Sequence, residues 1–105
     1  MISDRVIEIL IDAGMRNHPQ IHMSLHGEQG ECALGVLHLV VHISREKAVA
    51  CAIANFRGYK CVQNHFSLSR VETEHIWQLN DWERLDFIGI ARKLEGMSSH
   101  EEVNT

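Results

Sequence analysis

Ile76-Trp77-Gln78-Leu79-Asn80-Asp81-Trp82-Glu83-Arg84-Leu85-Asp86-Phe87-Ile88-Gly89-Ile90-Ala91-Arg92-Lys93-Leu94 decides the fold of this 105-residue chain. It reads as an apolar helix end, a polar corner and a capped closing helix. Asp86 is the cap, Phe87, Ile90, Ala91 and Leu94 point inward, and Gly96 marks the expected end of the 87–95 helix. Both tryptophans and one of the three phenylalanines fall in this stretch, so it locates where a core poor in aromatics is closed.

Upstream, Ser69-x-x-Glu72 matches a capping box ahead of Val71, His75, Ile76 and Leu79. Ser44 suits an N-cap for a helix 45–56, with Ala48, Val49, Ala52, Ile53 and Phe56 on one face and Arg57-Gly58 closing it. The apolar run 32–43 is long enough for a central helix, and Gly35 inside it predicts a close crossing. Near the start, Ser3 can cap a helix 4–14, with Ile2, Val6, Ile9, Leu10 and Ala13 at helical spacing and Gly14 where a terminating residue belongs. Ile21, Met23 and Leu25 alternate with His22, Ser24 and His26. That segment can be a short strand pairing with 59–66 or an extended loop on the core. The expectation is a mainly α domain of about five short helices over 1–97, with at most a minor hairpin (21–26 with 59–66) and a frayed polar tail, 98–105.

Composition narrows the function classes. With a net charge of −4 and scattered basic residues, the chain lacks the clustered Lys and Arg of a nucleic-acid groove. No apolar run is long enough for a membrane span, and Met1–Arg5 has no signal-peptide character. Three cysteines, an odd number with no C-x-x-C, predict free thiols and a cytoplasmic setting.

Two reactive chemistries stand out. His38-x-x-x-His42 puts two imidazoles on one helical face, the spacing by which helices hold zinc. Cys61 and His65 would complete a set of His38, His42, Cys61 and His65, with His22, His26 or Cys32 competing. A zinc hydrolase needs a Glu after the first His, where this chain has Leu39. Among eight histidines an i, i+4 pair arises readily by chance. The Cys and His side chains therefore read as scattered packing and surface groups, with no cofactor assigned. Cys51, amid Ala48, Val49, Ala50 and Ala52, reads as core. Cys32, near a helix start, is the one candidate for a thiol nucleophile, opposed by the charge of Glu31. A calcium loop at 80–86 lacks the required oxygen ligands. A helix-turn-helix at 90–98 lacks its recognition helix.

Cys32-Ala33-Leu34-Gly35-Val36-Leu37, followed at a distance by Asn80-Asp81 and a short final helix, resembles small phage and bacterial proteins of unknown function. Those carry a C-x-L-G-A-L segment and a closing Asn-Asp corner. Here Val36 replaces the Ala and Asp86 replaces the usual Ser or Thr cap. The resemblance implies a compact helical domain of mobile-element origin and carries over no catalytic residue. By association it also implies binding to, and inhibition of, a host protein.

The sequence reading is thus a small acidic, non-enzymatic protein-binding domain. Its contact residues are Trp82, Glu83 and Glu28, from the 80–86 corner and the 16–30 loop. Trp82 can instead be a core staple between the last two helices. A homodimer through the 33–43 helix is the form of self-association expected. A structural metal domain and a thiol enzyme are the alternatives.

Overall fold

A computed structural model describes residues 2–54 and 59–104, with side chains described as far as residue 96. The chain is mainly helical. In order come α1 (Asp4–Met15), the two-residue strands β1 (His26–Gly27) and β2 (Gly30–Glu31), then α2 (Ala33–His42), α3 (Arg45–Ala54), α4 (Tyr59–Phe66), α5 (Arg70–Asp81) and α6 (Phe87–Asn104).

α2 is the central element. Every residue from Ala33 to His38 is buried, and α1, α3, α4 and α5 all pack on it. Six consecutive buried positions explain why periodicity said little about this segment: a helix enclosed on all sides has no polar face. α1 presents Val6, Ile7, Ile9, Leu10 and Ala13 inward and packs chiefly on α6, which returns Phe87, Ile90, Ala91 and Leu94. α3 is different: Ala48 is its only buried residue. Apolar burial alone holds α3 weakly.

The helix starts follow the sequence closely. Ser69 Oγ accepts from Glu72 N at 3.0 Å while Glu72 Oε1 accepts from Ser69 N at 2.8 Å, a complete capping box. Asp86 Oδ1 accepts from Gly89 N at 2.7 Å, and Ser44 Oγ from Lys47 N at 3.1 Å. The ends follow it less well. α1 continues through Gly14 to Met15, and α6 runs through Gly96 into the tail expected to fray. A single glycine costs a helix only about 1 kcal/mol, too little to stop one otherwise favoured. The expected close of α3 at Phe56-Arg57-Gly58 lies outside the described residues.

The hairpin is real but elsewhere. Antiparallel pairing joins His26 to Glu31 and Gly27 to Gly30, across the turn Glu28-Gln29. Residues 59–66 are helical, because Val62 and Phe66 sit one turn apart and both reach the core.

The corner after α5 is a staple. Buried Asn80 accepts through Oδ1 from Ala33 N (3.0 Å) and Gln20 Nε2 (2.8 Å), and donates through Nδ2 to Ile21 O (3.0 Å) and Asp81 Oδ1 (2.7 Å). Asp81 Oδ1 also accepts from Met23 N at 2.9 Å. Asn80 and Asp81 therefore bind the 20–23 segment to the start of α2. Trp82 is not the staple: it is 67% exposed, with its ring edge toward Trp77.

Candidate metal centre

Four side chains from three helices converge beside α2. His38 and His42, one turn apart, have ring centroids 4.6 Å apart. Cys51 comes from α3 and Cys61 from α4. One ligand atom from each of the four lies within 4.8 Å of the others. Cys61 Sγ is 3.4 Å from His42 Nε2. His38 is fully buried, yet its Nε2 has no hydrogen-bond partner among the described residues. A buried imidazole nitrogen without a partner is costly unless something absent from the polypeptide satisfies it.

Behind His38 stands a polar chain. His38 Nδ1 lies 2.8 Å from His26 Nε2, and His26 Nδ1 lies 3.1 Å from Glu31 Oε2. Glu31 is 2% exposed and also accepts from Arg45 Nε at 2.9 Å, with His18 Nε2 2.7 Å from its other oxygen. Arg45 bonds the carbonyl of Gly27 as well, which ties α3 to the hairpin. Glu31 N donates to Pro19 O and Ile21 N donates to Glu31 O, so the backbone around this carboxylate is fixed from both sides.

The electrostatics suit a neutral imidazole. Burial, together with the neighbouring His26 and His42, pushes His38 down to about 4. Burial also lowers His26, outweighing the opposing influence of Glu31. For Glu31 burial acts upward, but hydrogen bonds from Arg45, His18 and His26 prevail and hold the carboxylate below its usual range. Burial and the adjacent Cys51 raise Cys61, a pressure that a bound dication would reverse.

The donor set fits zinc. Two imidazoles and two thiols are the borderline-soft, tetrahedral combination of structural zinc sites. Zn–N near 2.0–2.1 Å and Zn–S near 2.3 Å put tetrahedral ligand atoms about 3.3–3.8 Å apart. Contraction from within 4.8 Å asks for about 1 Å of side-chain movement. A zinc ion held by all four would have no open position, and two thiolates would neutralise its charge.

Three of the four residues that sequence spacing offered are in this group: His38, His42 and Cys61. The fourth, His65, is exposed on α4 with its ring edge toward Phe66, and Cys51 takes its place. Cys51 is half-buried, not a core residue; the alanines around it disguised a ligand-capable thiol on a sparsely packed helix. Of the competitors, His26 lies behind His38, while half-buried His22 is outside the group. Cys32 is buried at the start of α2, where Sγ accepts from Gly35 N at 3.4 Å. Burial pushes its thiol up to about 11, the wrong direction for a nucleophile. Glu31 escaped sequence reading because its partners, His18, His26 and Arg45, come from separate segments and leave no periodic signal around it. Trp82, Glu83 and Glu28 are all exposed, and no described helix is long and apolar enough to cross a membrane.

Comparison with protein-family models, curated proteins and solved structures found no match to this chain.

Proposed function

We propose that this protein is a small metal-stabilised domain in which His38, His42, Cys51 and Cys61 hold a structural zinc ion. The observation that carries the reading is the partnerless Nε2 of buried His38, within a group of four ligand-capable side chains. The ion supplies cohesion where apolar packing is thin, since it ties α3 and α4 to the central α2. With its coordination closed by protein, the centre is structural and not catalytic.

Cobalt(II) substitution tests this. Adding cobalt to metal-stripped, reduced protein should give the intense visible bands of a tetrahedral site and a thiolate charge-transfer band, both abolished by one equivalent of zinc. A pale spectrum of six-coordinate cobalt counts decisively against the reading.

A domain held together in this way serves as a scaffold, and a protein-binding role is the second reading. It is favoured by Trp82, Ile53 and Met23, which are 67%, 79% and 65% exposed. The mobile-element origin and host-protein target suggested by sequence resemblance belong to this second reading. Light scattering tests its simplest form, self-association. A dimer of wild-type protein that Trp82→Glu disperses supports it, and a concentrated monomer removes it.

A further inference from the structure

The buried carboxylate of Glu31 has three nitrogen neighbours and sits two side chains away from the four-ligand group. A carboxylate only accepts, so the Nδ1 of His26 must carry the proton it shares with Oε2. A neutral imidazole protonated at Nδ1 has its lone pair at Nε2. That atom is 2.8 Å from His38 Nδ1, so His38 Nδ1–H donates to it. His38, protonated at Nδ1, then has its lone pair on Nε2, the atom left without a partner. Each link follows from the one before. Reversing the chain would put an N–H on His38 Nε2, buried and with no acceptor among the described residues.

We infer that Glu31 and His26 are positioning residues which fix the tautomer and ring orientation of His38 and present its Nε2 lone pair to the metal. This rests on the metal reading above. It extends the familiar carboxylate–histidine–metal arrangement by one imidazole, and such outer partners usually set metal affinity by about 10–100-fold. It also assigns a purpose to the hairpin: β1 carries His26, β2 carries Glu31, and their register brings the two side chains together. Arg45 and His18 are the other groups facing Glu31; they hold the carboxylate charged and centred.

The competing explanation is that Glu31 merely cross-links the hairpin to α3. Long-range proton–nitrogen NMR on metal-stripped wild-type protein separates the two. Both His26 and His38 should be Nδ1–H tautomers; a proton on Nε2 of either overturns the inference. Zinc affinity is then measured by chelator competition for wild type, Glu31→Gln and His26→Phe, beside the melting temperature of each metal-stripped form. Glu31→Gln keeps an acceptor for His26 and should weaken zinc about 10-fold, whereas His26→Phe breaks the chain and should approach about 100-fold. Variants that melt earlier but bind zinc with wild-type affinity would show a purely structural cross-link, and the inference would fall while the metal reading stood. Wild-type protein that takes up no zinc would instead remove the metal reading itself. Should His26→Phe not fold, the tautomers and Glu31→Gln still decide.

Discussion

Replacing Gly35 by Ala probes how the metal site is built, because the contact it strikes is backbone. A Cβ at position 35 would stand 1.9 Å from the carbonyl oxygen of Leu25, 2.8 Å from its carbon and 3.1 Å from Cβ of Glu31. Ordinary contact begins about 1.5 Å further out, so either α2 or the chain at 25–26 must move by about that distance. Leu25 O is also the acceptor for Cys32 N at 3.1 Å, and displacement strains that bond, worth about 1 kcal/mol. Overpacking of this kind costs about 1–3 kcal/mol. Alanine's better helix propensity returns about 1 kcal/mol. The net expectation is a loss of about 1–3 kcal/mol, read as a lower urea midpoint at unchanged slope. Because His26 follows Leu25 directly, the same shift should separate His26 from His38 and weaken zinc binding. A Gly35→Ala protein within about 0.5 kcal/mol of wild type, the range of an ordinary surface change, would refute this account of the α2–hairpin contact.

Three further outcomes are expected. Zinc at about 100 times its Kd adds about 2.7 kcal/mol. Each kcal/mol moves Tm by about 4–8 °C in domains near this size, so chelation should lower Tm by about 11–22 °C; calorimetry showing no change would argue against a folding role for the ion. Asn80→Ala leaves the buried Ala33 N–H without its acceptor and frees the 20–23 segment, at a cost of at least about 1–3 kcal/mol by denaturant titration; a neutral substitution would show that the corner is not a staple. Metal-stripped protein should lose stability as pH falls from 6.5 toward about 4. Unfolded chains protonate His38 at its ordinary 6.5 while the native state resists to about 4, so the unfolded state binds more protons throughout that window. Glu31, held low in the native state, contributes stability that is present above its ordinary 4.5 and declines below it, so acidification brings no recovery. A stability maximum below pH 5 in a series of denaturant titrations would contradict both assignments.

The helical class and most helix starts were legible because capping chemistry is local: Ser44, Ser69 and Asp86 each bind backbone three residues on. Helix ends were less so, since Gly14 and Gly96 permit a stop without enforcing one. The strand pairing was missed for a similar reason. Residues 22–25 form a bent loop, with Met23 at φ 68 and pinned by Asn80 and Asp81, so their alternation marks no strand; the hairpin depends on a turn at Glu28-Gln29 and only two residues a side. Within the site, His38 and His42 were visible through i, i+4 spacing and Cys61 through the need for further ligands. Cys51 and Glu31 were not, because their roles come from α3 and the hairpin meeting the central helix, a tertiary fact without local trace. Trp82 shows the converse difficulty: an aromatic at a helix end reads equally as core or surface until its neighbours are known.

The central claim is that four side chains form one metal site. Its most direct measurement is metal content by elemental analysis of protein prepared without a histidine tag and under reducing conditions, with Cys51→Ser and His65→Gln alongside. One equivalent of zinc in wild type and His65→Gln, with a marked loss in Cys51→Ser, is the result expected. Wild-type protein with under about a tenth of an equivalent of any transition metal, folded and equally stable before and after chelation, would contradict the account.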